Sequence, residues 1–145
     1  ARASADARVG GMLSGKAGIV NVHLGGGKRK LELLTRVVEE TEIPITQFLP
    51  THANRTQELL DASIEFAKKG GTIDFTASED PDFWERTDGE VRFSQALKQL
   101  IAAGVSLDHF TMTSDGQGSL PYFDENNHFI GIYFYVVAFI QQNSG

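Results

Sequence analysis

The sequence predicts a mixed α/β fold in which parallel strands alternate with helices. Short β-branched or apolar runs recur along the chain, segments of near-helical apolar spacing separate them, and the links are short and rich in Gly or Pro. This alternation is typical of a parallel sheet with right-handed crossovers, as in a (β/α)8 barrel or a doubly wound sheet. A complete barrel takes about 250 residues, so the 145 residues of this chain accommodate about half of one.

The first strand and helix lie before Pro44. The β-branched run at 18–22 predicts a buried strand that ends at His23. Three glycines follow at 25–27, and apolar residues then recur at helical spacing over 31–40. The sequence therefore predicts a strand, a Gly-rich loop and an amphipathic helix, in that order.

The second unit begins with a short strand, 47–49, that leads through Pro50 and Thr51 to His52. Asn54 is the predicted N-cap of the next helix, because its side-chain oxygen can accept a bond from a free backbone N–H. The apolar face of that helix carries Leu59, Leu60, Ile64 and Phe66. Gly70 and Gly71 end it.

The third unit begins with a strand at 72–76 and continues through a polar loop that contains Pro81 and Trp84. A helix is predicted from about Val91 to Ala103, and a fourth strand at 110–114. Asp74 lies within the third strand, where a hydrogen-bonded structural carboxylate is a more common role than that of a ligand.

Composition excludes several classes of function. The formal charge is −6 and there is no run of basic residues, so we expect no nucleic-acid partner. The longest apolar run, 132–140, is much shorter than the roughly twenty residues of a membrane-spanning helix, and the first residues lack a signal-peptide pattern. We therefore expect no membrane partner, a cytoplasmic location, and a chain that is cut from a longer protein. Because there is no cysteine, a transition metal must be bound by His and carboxylate side chains.

Three residues with metal-binding side chains follow three different predicted strands: His23, His52 and Asp115. The carboxyl ends of barrel strands converge on one face, so these side chains can meet around one ion. Two imidazoles and a carboxylate suit zinc or another borderline divalent metal, and Asp115 could instead take a proton from a metal-bound water. The other two histidines, His109 and His128, lie before a strand and in a polar turn, and we predict that both face solvent.

Two further residues are candidates for substrate binding. Arg55 follows His52 closely and could bind a substrate carboxylate at the same rim, although an exposed surface arginine is the alternative. Ser119 lies in the Gly-rich loop after Asp115 and could donate a hydrogen bond to an anionic substrate, although it could equally be a turn residue. The run Gly25-Gly26-Gly27-Lys28 lacks the spacing of a phosphate-binding loop.

Several runs of residues resemble the isoaspartyl dipeptidase family of the amidohydrolase superfamily over nearly the whole chain to about Ile130. These runs are Arg8-Val9-Gly10-Gly11, Gly15-Lys16, Val22-His23, Leu49-Pro50-Thr51-His52, Asn54-Arg55, Gly70-Gly71-Thr72-Ile73-Asp74 and Ser114-Asp115-Gly116-Gln117-Gly118-Ser119. The runs around His52 and Asp115, in this order and near this spacing, are the specific ones. The resemblance implies that residues 1–145 are part of an amidohydrolase barrel domain, namely strands five to eight of a (β/α)8 barrel with their helices.

The resemblance also implies an activity and a site. In this family two zinc ions per active site and a bridging hydroxide hydrolyse β-aspartyl dipeptides. The histidines matching His23 and His52 bind one zinc, and the aspartate matching Asp115 binds the other and acts as general base. The residues matching Arg55 and Ser119 hold the dipeptide substrate. Family members form homo-oligomers, which we expect here for the full-length protein.

The chain departs from the family pattern in three ways. The first-strand His-x-His pair and the carboxylated bridging lysine of the family lie upstream of Ala1, so part of the ligand set lies outside this chain and we expect the chain alone to be inactive. Lys16 and Lys28 do not lie at the strand end that carries that lysine. The loop 79–92 is longer than in the family, and an apolar segment beginning at Ile132 replaces the start of an amphipathic helix.

Two rival interpretations remain open. Another amidohydrolase activity, dihydroorotase-like or D-aminoacylase-like, would keep the barrel and the metal, but Arg55 and Ser119 suit the charged ends of a dipeptide better. A non-catalytic truncated module that associates through open sheet edges is the alternative from a different class, because unpaired strand edges and the apolar segment 132–140 favour association.

Overall fold

A computed structural model of the chain describes residues 1–78, 80–116 and 119–134. Short 3-10 helices at Ile45–Gln47 and Leu107–His109 precede two of the strands. The other elements, in chain order, are α1 (Arg2–Ser14), β1 (Val20–His23), α2 (Glu32–Glu40), β2 (Phe48–Thr51), α3 (Gln57–Lys68), β3 (Ile73–Thr76), α4 (Pro81–Asp88), α5 (Phe93–Ala102), β4 (Phe110–Thr113), β5 (Ser119–Phe123) and β6 (Phe129–Phe134).

The first four strands are parallel, which confirms the predicted mixed α/β class. β1 pairs with β2, and β3 pairs with β4. The backbone N–H of Ala53 donates to the carbonyl of Asp74 over 3.0 Å, so β2 also lies beside β3. Over the residues that are described, the strands form two parallel pairs and one antiparallel pair, and a closed barrel remains a prediction.

The core lies between these strands and the helices α2, α3 and α5. The apolar residues predicted for α3 are buried as expected, with Leu59 and Leu60 at 1% and 0% exposure. Phe75 from β3 and Leu100 from α5 are also fully buried. Each such side chain stabilises the fold by about 1.5–3 kcal/mol relative to an exposed position. Position 71, after α3, requires glycine, because a Cβ there would lie 2.2 Å from the ring of Phe66.

The predicted strands and the helices α2, α3 and α5 are confirmed to within about two residues at each end. The predicted N-cap of α3 was wrong. Thr56 caps this helix by accepting a hydrogen bond from Leu59 N over 3.2 Å, whereas the side chain of Asn54 turns into the core. Asn54 lies too far before the first turn of α3 to accept from its free N–H groups.

The predicted polar loop around Pro81 and Trp84 was also wrong, because the segment forms α4. Asp80 caps it by accepting from Phe83 N over 3.0 Å, and Pro81 supplies a fixed helical φ at the first position. Gly89 ends it with a left-handed φ of 74°. The sequence contains these three helix signals, but the polar composition of the segment favoured the interpretation as a loop.

Helix α1 was not predicted. Its sequence includes Gly10 and Gly11, which lower helix propensity, and no side chain caps its start. Gly11 is needed for packing, because a Cβ there would lie 2.5 Å from the Cα of Gly18. Gly11 therefore lowers the helix propensity of α1 and at the same time lets the helix lie against the segment that leads into β1.

The hairpin β5–β6 is antiparallel and departs from the βα alternation. Its turn runs from Asp124 to His128, which confirms the polar turn expected around His128. The apolar segment that departs from the family pattern begins within β6, and its continuation at 135–145 lies outside the described residues. None of the described helices is long and apolar enough to cross a membrane.

Candidate active site

His52 follows the last residue of β2 and occupies a strained backbone conformation. Its φ is 63°, and Asp115, which comes shortly after β4, has a φ of 51°. Left-handed backbone costs a residue with a Cβ about 1–2 kcal/mol. Such strain concentrates at functional sites, and two of the four described non-glycine residues with a positive φ are predicted metal ligands; the other two are Lys30 and Asn127.

The imidazole of His52 lies beside that of His23. Nε2 of His52 is 3.1 Å from Nδ1 of His23, and the ring centroids are 5.0 Å apart. The parallel register explains the approach, since His23 is opposite Thr51, the residue before His52. His52 is 6% exposed, whereas His23 is open to solvent. The two rings therefore meet at the carboxyl ends of β1 and β2, as predicted.

The other ring nitrogen of His52 faces the buried side. Nδ1 lies 2.7 Å from the hydroxyl oxygen of Thr76, the last residue of β3. Thr76 is held by Asn54, whose side chain accepts from Thr76 N over 2.8 Å and donates to Thr76 O over 3.0 Å. The same amide donates to the carbonyl of Val91 over 2.9 Å. Neither Thr76 nor Asn54 was predicted as a site residue.

Asp74 of β3 joins three neighbouring strands close to the histidine pair. It is buried, and it accepts hydrogen bonds from the hydroxyls of Thr51 and Thr111, each over 2.6 Å. The carboxylate therefore links β3, two residues before its end, to the last residue of β2 and to the matching position of β4. This confirms the structural role predicted for Asp74.

Burial lowers the pKa of His52, and the positive charge of Arg55 lowers it further. The negative charge of Asp115 acts in the opposite direction. His52 is therefore held in its neutral form, which is the form that binds a metal ion.

Arg55 is half-buried, and its backbone N–H donates to His52 O over 3.1 Å, which closes a tight turn after β2. Its guanidinium makes no hydrogen bond or ion pair with any other residue in the described ranges. Ser119 is exposed at the first residue of β5, and no hydrogen bond links it to the other predicted site residues within those ranges. Residues 117 and 118, between Asp115 and Ser119, lie outside the described ranges.

The three predicted ligands are only partly assembled. Among the described residues, no group of three His, Asp or Glu side chains is placed to hold a metal ion. His23 and His52 are in contact, and Asp115 is near enough for its charge to act on His52. His128 is exposed, as predicted, and lies against Asp124, whereas His109 is half-buried rather than solvent-facing because it precedes β4 in a 3-10 turn.

The histidine pair nevertheless fits a zinc ion. Tetrahedral zinc with Zn–N bonds of about 2.0–2.1 Å holds two ligand nitrogens roughly 3.4 Å apart, close to the 3.1 Å between the facing nitrogens of His23 and His52. A metal-binding histidine usually donates its other N–H to a neighbouring oxygen, and Thr76 provides that oxygen for His52. The donors and their support therefore suit a divalent metal.

Two solved structures are similar to this chain in sequence and in fold. One is a β-aspartyl dipeptidase of the thermophilic, keratin-degrading Fervidobacterium islandicum AW-1 in complex with a β-Asp-Leu dipeptide. It is 48% identical to this chain, with a TM-score of 0.77 over 94% of this chain and 34% of that chain. The resemblance to β-aspartyl dipeptidases is confirmed.

A second structure of a β-aspartyl dipeptidase from the same organism is 49% identical, with a TM-score of 0.70 over 81% of this chain and 30% of that chain. The present chain thus spans about a third of the length of these dipeptidases. No family model matches the sequence.

Sequence reasoning missed Asn54 and Thr76, although a signal for each was present. Thr76 ends β3 in the way that His23 ends β1, so the strand alternation placed it at the same rim. Asn54 lies between His52 and Arg55, and its position was interpreted as a helix cap. Its role depends on contacts with residues 22 and 37 positions away, which a local pattern does not reveal.

Proposed function

We propose that the protein to which this chain belongs hydrolyses β-aspartyl dipeptides with the help of zinc. The likeness to a dipeptidase bound to β-Asp-Leu, at 48% identity over 94% of the chain, carries the proposal. The histidine pair at the ends of β1 and β2 supports it, because it gives the chain a place to hold the metal.

In this proposal the chain supplies about half of a (β/α)8 barrel and half of a two-zinc site. His23 and His52 hold one zinc, and Asp115 is a ligand of the other. Bound zinc would polarise the amide carbonyl and activate a water for attack. The chain alone is then inactive, because the remaining ligands come from residues outside it.

The residues of this chain have distinct tasks in the proposed reaction. Asp115 accepts a proton from the attacking water and returns it to the leaving amine, which is the task of a general base that becomes a general acid. Arg55, whose guanidinium makes no hydrogen bond or ion pair within the described ranges, binds a carboxylate of the dipeptide bidentately. Ser119 donates a hydrogen bond from its hydroxyl to the other anionic end of the substrate. The full-length protein is a homo-oligomer in this proposal.

The test is hydrolysis of β-Asp-Leu by a protein in which this chain is joined to an upstream half-barrel that supplies the missing ligands. We expect cleavage of β-Asp-Leu, loss of at least about a hundredfold in kcat/KM for Asp115→Asn, and an unchanged rate for His128→Ala, a histidine outside the site. Zinc binding without cleavage of β-Asp-Leu, but with cleavage of a cyclic amide or an N-acyl amino acid, would contradict the dipeptidase assignment and favour another amidohydrolase activity.

A further inference from the structure

The two sides of the His52 ring face different surroundings. Nε2 faces the exposed His23, whereas Nδ1 faces the hydroxyl of Thr76, which is 7% exposed. A neutral imidazole carries one hydrogen, on one of these nitrogens only. A metal approaching from solvent can reach Nε2, so that nitrogen must be free of hydrogen if His52 is to bind it.

We propose that Thr76 is a positioning residue that selects the tautomer of His52 by accepting a hydrogen bond from Nδ1–H. This places the hydrogen on the buried side of the ring and leaves the lone pair of Nε2 directed at Nδ1 of His23, whose hydrogen it accepts over 3.1 Å in the metal-free chain. The inference rests on the proposed function in one respect, since it takes His52 to be a metal ligand.

Asn54 makes Thr76 suited to this task. The side-chain amide of Asn54 is fully buried and bonds both the N–H and the carbonyl of Thr76, as a neighbouring strand would. Its third bond, to Val91 O, fixes the amide itself. The Thr76 backbone therefore has little freedom, and its hydroxyl stays 2.7 Å from Nδ1 of His52.

The same asparagine ties the metal-binding turn to β3. Asn54 lies within the turn that the bond from Arg55 N to His52 O closes. A movement of this turn would have to break the bonds of Asn54 to Thr76 at the same time. His52 and its hydrogen-bond partner are thus held as one unit, which is the arrangement that preserves a short bond between them.

The deciding measurement is the tautomer of His52 in the metal-free chain, from long-range 1H–15N correlation spectra of histidine-labelled protein at alkaline pH. The His52→Gln variant assigns the resonances. We expect a hydrogen-bearing Nδ1 and a bare Nε2 in the wild type and in Thr76→Ser, which keeps the hydroxyl. Thr76→Val should lose this preference. A hydrogen-bearing Nε2 in the wild type overturns the proposal, and so does an unchanged tautomer in a folded Thr76→Val.

Zinc affinity provides a second readout, measured on the same variants of the protein that joins this chain to an upstream half-barrel, because part of the ligand set lies outside the chain. Loss of a hydrogen-bond partner of a metal-binding histidine typically weakens binding about 10–100-fold, so we expect that loss in Thr76→Val and recovery in Thr76→Ser. Equal zinc affinity in the wild type and Thr76→Val overturns the positioning role. A wild type that binds no zinc contradicts the proposed function instead, and the tautomer spectra then still decide whether Thr76 directs the ring.

Discussion

The carboxyl ends of β2 and β3 and the β5–β6 hairpin hold their polar groups in opposite ways. Around His52, hydrogen bonds of Asn54 and Asp74 cross between strands and reach residues up to 37 positions away. In the hairpin, the hydrogen bonds between described residues all remain within the hairpin. The first region is fixed by the tertiary fold, and the second by its own turn.

Burial follows the same division. Asn54 is 0% exposed, whereas Phe129 in β6 is 59% exposed and Ile132 is 55% exposed. A lost hydrogen bond costs most where water cannot replace it. The comparison therefore predicts large effects of polar substitutions near His52 and small effects in the hairpin.

The largest difference is expected between two asparagines. Asn54→Ala removes three hydrogen bonds and leaves buried groups of Thr76 and Val91 without partners, so we expect a loss of about 3 kcal/mol or more in the free energy of unfolding. Asn126→Ala, in the exposed turn of the hairpin, should change it by less than about 0.5 kcal/mol. Urea unfolding of both variants measures the contrast, and similar losses would show that the two regions do not differ as described.

A smaller difference is expected between two threonines. Thr51→Val removes a buried hydroxyl that donates to the carboxylate of Asp74, and hydrogen bonds to charged groups contribute about 1.5–3 kcal/mol. Thr87→Val removes an exposed bond on α4 and should cost less than about 0.5 kcal/mol. Urea unfolding of both variants measures the two losses. An equal loss in Thr51→Val and Thr87→Val would contradict the structural role of Asp74.

The pH dependence of stability should reflect His52. Its pKa is lowered in the fold, mainly by burial, so the unfolded chain takes up a proton more readily than the folded one. The free energy of unfolding should fall as the pH drops through the unfolded value of 6.5 toward the lower folded value. His52→Gln should make this fall shallower. Denaturant titrations at several pH values test it, and an unchanged slope in the variant would exclude His52 as the source.

The smallest effect is expected at Asp124. Backbone hydrogen bonds from His128 and Asn126 lower the pKa of this exposed carboxyl from 3.8. Its contribution to the hairpin is therefore present above that value and is lost as the pH falls through the lower folded pKa. Asp124→Asn should remove this acid dependence. Hydrogen exchange of the His128 amide provides the local measurement, and identical exchange in both proteins would rule out the carboxylate as its protector.

The predictable part of the molecule follows from local patterns. The β-branched run before His23 forms β1, although this strand alternates half-buried and exposed residues and is not buried as predicted. The helical spacing in α3 specifies a helix whose buried face matches its period. The positions of His23 and His52 follow from the parallel alternation, since both come at strand ends. Helix α4 shows the limit, because a polar composition concealed its Asp80 cap.

The remaining parts depend on contacts that no local pattern contains. Gly11 lowers the helix propensity of α1 and at the same time allows its contact with Gly18. Asn54 could be recognised as a residue of the core only through its bonds to Thr76 and Val91. The left-handed backbone of His52 and of Asp115 is likewise not predicted by a local pattern, because neither residue type prefers that conformation strongly.

The most direct test of the histidine pair as a metal site is zinc binding, measured by isothermal titration calorimetry on the metal-free protein that joins this chain to an upstream half-barrel. We expect the wild type and His128→Ala to bind zinc with equal affinity, because His128 lies in the hairpin, away from the pair. The double variant His23→Ala, His52→Ala should lose at least about tenfold in affinity while remaining folded. Equal zinc affinity in the folded double variant and the wild type would contradict the metal site at the ends of β1 and β2.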